Sequence, residues 1–126
     1  MDLKDYFETT DGMGILSTAD GDGSVDSALY GRPHVQDDGT LALIMRRRLS
    51  YENLQSNPKA VYMFIEKGPG YQGKRLYLEK VREEADPEKV QAARRSDHGH
   101  TADAESARLV FFRVGRIRPL VGDTEA

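Results

Sequence analysis

Cysteine is absent from this 126-residue chain, and no apolar run has the length of a membrane-spanning helix. Without thiols, disulfides, thiolate metal sites and cysteine nucleophiles are excluded. The three histidines, His34, His98 and His100, show no ligand spacing on one predicted element, so we expect no metal site. Because the first residues also lack an apolar signal core, we expect a soluble cytoplasmic protein without a membrane partner.

Basic residues are not in excess. The chain has 18 lysines and arginines against 21 aspartates and glutamates, which gives a formal net charge of −3. Proteins that bind nucleic acid or membrane surfaces generally need a positive excess, so we expect no nucleic-acid partner. The length suits one domain over residues 1–126, and no internal repeat divides it.

Several catalytic patterns are also missing. The sequence has no recognisable serine–histidine–aspartate triad, no carboxylate pair at a plausible site and no glycine-rich dinucleotide fingerprint. Hydrolysis and nicotinamide binding on a Rossmann fold are therefore not expected.

Tight turns join most of the apolar segments that are present. Asp20–Gly23 and Gln36–Gly39 combine aspartate with glycine, which is the chemistry of hairpin turns. Strands outnumber helices, and this favours an antiparallel barrel over parallel strands alternating with helices. The predicted strands are Met13–Ala19, Val25–Val35 (interrupted by Gly31 and Pro33), Thr40–Met45, Ala60–Glu66, Lys74–Glu84 and Leu109–Leu120.

Three short helices are predicted between these strands. Asp2–Thr10 has apolar residues at helical spacing. Ser50–Asn57 opens with a serine that can accept a bond from a first-turn N–H, and Pro58 ends it. In Asp86–Arg95, aspartate is the predicted cap and proline the first helical residue.

The segment from Thr40 to Ile65 carries the clearest chemistry. A strand runs into Arg46, Arg47 and Arg48, and the helix that Ser50 opens follows directly. Helix N-termini expose unpaired N–H groups, and arginine matches phosphate oxygens, so the segment indicates a phosphate clamp. Strand alternation sends Arg46 and Arg48 to one side and Arg47 to the other, so at most two should touch one phosphate. The alternative is an ordinary solvated arginine patch.

These residues together resemble the FMN-binding split-barrel family, which includes pyridoxamine 5′-phosphate oxidase and small bacterial flavin-binding proteins. The resemblance covers most of the chain. It is carried by the strand Val25–His34, the apolar strand Thr40–Met45, and the serine-opened helix in which Asn53-Leu54 and Asn57-Pro58 precede Val61. It implies a mainly β protein: a six-stranded antiparallel split β-barrel, Greek-key-like, with a few short helices.

The resemblance also implies a cofactor and a partner. In the family two subunits pair and FMN lies at their interface, with its phosphate against the basic strand-to-helix segment and its ring on the second and third strands. We therefore expect a homodimer that binds FMN and performs flavin-dependent redox chemistry on a small molecule. The cofactor-binding residues implied are Ser27, Ala28, Leu29, Tyr30, Met45, Arg46, Arg48, Leu49 and Ser50.

Other interpretations stay open. The domain could carry or sense a flavin or haem without turnover, and a deazaflavin could replace FMN. His34 is the one attractive haem ligand, although a backbone-bonded strand histidine is the simpler explanation. Val110, Phe111 and Phe112 make the last strand apolar on both faces, which indicates burial between barrel and partner.

Overall fold

The computed structural model describes residues 2–96 and 107–122, and this part of the chain forms a mainly β structure. Its elements, in chain order, are α1 (Leu3–Thr9), β1 (Gly12–Ala19), β2 (Val25–Tyr30), β3 (His34–Val35), β4 (Leu41–Arg46), α2 (Leu49–Ser56), β5 (Lys59–Glu66), β6 (Gly73–Glu84), α3 (Pro87–Ser96) and β7 (Ala107–Pro119).

All seven strands belong to one antiparallel sheet in the order β2-β1-β5-β6-β7-β4-β3. The two edge strands, β2 and β3, are consecutive in the chain and are joined only by Gly31, Arg32 and Pro33. So short a link requires the sheet to curl until its edges approach each other, which makes a half-barrel. The expected antiparallel split barrel is confirmed.

The strand count differs from the expected six because Val25–Val35 is not one strand. It breaks at Gly31–Pro33, and the two halves pair at opposite edges of the sheet. Proline cannot donate to a strand ladder, and glycine accepts sharp bends, so the corner falls there. The Tyr62 hydroxyl fixes the corner by donating to the Gly31 carbonyl at 2.8 Å.

The core lies inside the curl. Alternate residues of the strands point inward, and Leu16, Tyr62 and Leu76 have no exposed surface. Helix α1 covers one end of this core, where Phe7 packs edge-to-face on Phe64 with ring centroids 5.2 Å apart. Helix α2 contributes buried Tyr51 and Leu54, and so is fixed against the same core.

A second apolar cluster lies where α3 crosses β4 and β7. Val90 of α3 is fully buried with Leu109 and Phe111 of β7. The guanidinium of Arg82 stacks 3.6 Å from the Phe111 ring centroid. The apolar residues on the second face of β7 are therefore covered by a helix of the same chain, so this strand gives no argument for a partner.

No helix within residues 2–96 and 107–122 is long and apolar enough to cross a membrane. The same residues hold no group of three or more histidines and carboxylates arranged for a metal ion. His98 and His100 lie outside the described residues.

Candidate functional site

The junction between β4 and α2 presents three exposed guanidinium groups in a row. Strand β4 ends at Arg46 and α2 begins at Leu49, so Arg46, Arg47 and Arg48 occupy the turn. Within the described part of the chain, no carboxylate forms an ion pair with any of the three. Their positive charge therefore faces solvent and is open to an anion.

The start of α2 has no side-chain cap. Arg48 is the N-cap residue in extended geometry, and no side chain bonds to the first-turn N–H groups. The expectation that Ser50 caps the helix was wrong, because the helix begins one residue earlier and Ser50 is its second residue. An uncapped helix start beside three arginines is a donor set that suits phosphate oxygens.

Ser50 instead faces β2. Its side chain is buried, with 4% of its surface exposed, and its hydroxyl donates to the Asp26 carboxylate at 3.4 Å. Tyr30 lies beside them. Burial raises the pKa of its phenol and Asp26 adds to the rise, whereas Ser50 and Arg48 oppose it. The structure therefore brings Tyr30, Arg48 and Ser50 together, and it adds Asp26, which the sequence interpretation did not include.

The remaining predicted residues divide between the two faces of the sheet. Ala28 lies on the less exposed face of β2 together with Asp26 and Tyr30, whereas Ser27 and Leu29 point outward. The Ser27 hydroxyl bonds to that of Ser17 on β1 at 2.7 Å, and the Leu29 side chain is 71% exposed. Met45 is completely buried in the core, so only its backbone can border a ligand. Leu49 is exposed on the first turn of α2.

Two polar contacts hold α2 in place beneath this junction. The Tyr51 hydroxyl donates to Glu83 of β6 at 2.5 Å, and Lys80 forms an ion pair with the same carboxylate at 2.8 Å. On the other side, the Asn53 amide donates to the Thr18 hydroxyl of β1 at 3.0 Å, where both residues are buried. The helix start is therefore fixed from two strands and needs little reorganisation to receive a ligand.

His34 lies on the short strand β3, paired with Ala42 of β4. Its Nε2 atom is buried and has no hydrogen-bond partner among the described residues. Because this nitrogen has no accessible surface, it cannot coordinate a haem iron in this conformation.

An open cleft of about 540 Å³ lies on the outer face of the sheet. Its floor contains Val25, Val61 and Tyr77, and Lys59 and Arg116 stand among its lining residues. Ser17 also lines it, and because Ser17 bonds to Ser27, the cleft adjoins the strand that was expected to border a flavin ring.

The fold and the basic helix start define a class: the chain has the fold of the FMN-binding split-barrel proteins, as the sequence indicated. Over 93% of this chain and 97% of its own, an F420 reductase structure superposes with a TM-score of 0.74 at 16% identity. An FMN-binding protein from Syntrophomonas wolfei subsp. wolfei gives 0.76 at 20% identity, over 96% of this chain and 85% of its own. A FAD-binding protein from Mesorhizobium loti gives 0.62 at 15% identity, over 93% and 92%.

No protein-family model matches the sequence, and a search of curated proteins finds no match. At these identities the structural likeness establishes the fold alone.

Proposed function

We propose that this protein binds FMN, with the cofactor phosphate at the start of α2. The observation that carries the proposal is the uncapped N-terminus of α2 directly behind three exposed arginines without ion-pair partners among the described residues. The fold adds support, since solved structures that share it include an FMN-binding protein, an F420 reductase and a FAD-binding protein.

The residues present fit a phosphate monoester. First-turn amides of α2, the Ser50 hydroxyl and the Arg46 and Arg48 guanidiniums would hold its oxygens. The flavin ring would then extend along the outer side of β2, over the backbone from Ser27 to Leu29. Flavin, when bound, supplies hydride or single-electron transfer, and the protein supplies position and electrostatics.

The reaction class that follows is a flavin-dependent oxidoreduction of a small molecule. The alternative within the same fold is a carrier or sensor that holds a flavin without turnover. The test measures how fast a reduced nicotinamide or deazaflavin donor is oxidised by the purified protein with FMN and by free FMN alone. A higher rate with the protein would support an enzyme. Reduction and reoxidation only at the free-flavin rate would support the carrier. A Soret band in place of flavin bands would identify haem.

We also propose that the partner is a second copy of this chain. The outer face of β2, β1 and β5 presents apolar side chains to solvent, among them Met13, Val25 and Leu29. An exposed apolar patch on a sheet is typical of an interaction surface. A two-fold pairing of this face with itself would cover it and would enclose the cleft next to Ser27.

The direct test is a binding titration with FMN and riboflavin, which differ only by the phosphate. We expect the protein to bind FMN more tightly than riboflavin, and the double substitution Arg48→Ala with Ser50→Ala to remove most of that difference while riboflavin affinity stays constant. The matched control is Lys67→Ala, which removes an exposed positive charge at the opposite end of β5. Unchanged FMN affinity in the double variant would remove the phosphate site.

A further inference from the structure

A carboxylate is built into the site where the phosphate is proposed to bind. Asp26 Oδ2 lies 3.4 Å from the hydroxyl oxygen of Ser50, which stands in the first turn of α2. Register places Asp26 opposite Thr18, whose hydroxyl accepts from buried Asn53 of the same helix. Asp26 is therefore held against α2 by its strand.

The hydroxyls of Ser50 and Tyr30 both lie beside this carboxylate, and Ser50 donates to it. A serine has one proton to donate, so Ser50 cannot serve Asp26 and a phosphate oxygen at once. The pKa of Tyr30 is raised, mainly by burial and further by Asp26, although Ser50 and Arg48 oppose the rise. The ligand-free arrangement already satisfies the donor that the phosphate would require.

We infer that Asp26 is an internal competitor of the ligand phosphate, which makes a phosphate-bearing flavin an exchangeable ligand of this protein and not a permanently held group. This inference rests on the proposed phosphate site. Its chemical basis is that an incoming phosphate dianion must replace Asp26 as the acceptor of the Ser50 hydroxyl. The dianion must then remain close to a like charge. The arginines attract the phosphate while Asp26 limits its residence, so Asp26 is a specificity-determining residue that discriminates against high negative charge.

The test replaces the charge and keeps the shape. Asp26→Asn preserves an oxygen that accepts from Ser50, and Asp22→Asn is the matched control, because it removes one negative charge from the neighbouring exposed turn. Equilibrium titration and stopped-flow dissociation would be measured with FMN and with riboflavin. We expect Asp26→Asn to tighten FMN binding about tenfold, chiefly through slower dissociation, with riboflavin binding and the Asp22→Asn variant unchanged. Asp26→Ser, which also removes the charge, gives the same expectation if the asparagine variant folds poorly.

The outcomes separate the two claims. Equal affinity of the unsubstituted protein for FMN and riboflavin would overturn the phosphate site and this inference with it. A clear preference for FMN that neither Asp26 variant strengthens would overturn the inference alone. Weaker FMN binding in both folded variants would show that Asp26 supports the ligand, which also contradicts the inference.

Discussion

At the scale of single residues, Glu83 fixes the orientation of the candidate site. Its carboxylate accepts from Tyr51 and pairs with Lys80, so the first turn of α2 is tied to β6. Burial acts to raise the pKa of Glu83, but hydrogen bonds from Lys80, Tyr51 and Gln55 outweigh it and the net pKa is lowered. The charged form of Glu83 is therefore the form that the folded state prefers.

This preference predicts how stability depends on pH. A carboxyl group whose pKa is lower in the folded state stabilises the protein above its unfolded-state pKa of about 4.3, and that contribution is lost as pH falls through the folded value. We expect the free energy of unfolding to drop between about pH 5 and about pH 3, and Glu83→Gln to lack part of this drop.

Urea unfolding across that pH range measures this loss of stability. Glu8→Gln is the control, because Glu8 is an exposed residue of α1 and its loss should leave the drop intact. Identical pH profiles for Glu83→Gln and the unsubstituted protein would contradict the assigned role.

The site residues show where sequence reasoning succeeds and where it stops. The arginine run and the following helix are adjacent in the chain, so local pattern was sufficient to predict a basic helix start. Asp26 meets Ser50 across 24 positions of sequence, and only strand register brings them together. The pattern also placed the cap at Ser50, since serine is a favoured cap residue, although the described helix begins at Leu49.

At the scale of elements, the corner between β2 and β3 decides how the sheet closes. Gly14 of β1 pairs with Tyr30, the last residue of β2, and lies against the Tyr62 side chain. A Cβ on Gly14 would stand 2.1 Å from the Tyr62 hydroxyl oxygen and 2.8 Å from the Tyr30 carbonyl. The glycine is needed here because the tyrosine occupies the space that any side chain would take.

We therefore expect Gly14→Ala to destabilise the fold by about 2–4 kcal/mol, through overpacking and loss of the bond from Tyr62 to the Gly31 carbonyl. Gly115→Ala is the matched strand-glycine control, since its added Cβ would meet the nearest atom at an ordinary 3.6 Å. Urea unfolding of both variants tests the difference. Equal stabilities for the two variants would show that the Tyr62 side chain can move aside without loss of stability.

The strand pattern predicted most element positions within one or two residues, because alternation and turns are local signals. For example, the predicted strand Ala60–Glu66 is observed as Lys59–Glu66. Sequence marked an interruption at Gly31 and Pro33 but could not show that the two halves join opposite edges, which depends on the closure of the whole sheet. Likewise, the apolar residues on the outer face of β7 indicated that something packs against this face, but they did not show that α3 does so.

At the scale of the whole molecule, the outer face of β2, β1 and β5 presents several apolar side chains that no helix of the described chain covers. Val25 is 81% exposed and Met13 54%, whereas the corresponding face of β7 is packed under α3. Exposing these apolar side chains has a free-energy cost that pairing would remove. The proposed homodimer through this face would account for the difference between these two regions of the outer face.

Lysine substitutions test this face. We expect Met13→Lys with Val25→Lys to give a monomer at micromolar concentration by light scattering, because pairing would bury four new charges near a two-fold axis. Val81→Lys with Val121→Lys is the matched control, since both valines are exposed outside this face, at 49% and 68%.

FMN affinity measured on the same samples separates assembly from phosphate binding. If the cofactor lies between two copies, the monomeric variant also loses FMN, whereas Arg48→Ala with Ser50→Ala loses FMN and stays dimeric. A dimeric Met13, Val25 double variant would contradict pairing through this face. A monomer that retains full FMN affinity would place the whole cofactor site within one chain, on the side of β2 that faces α2.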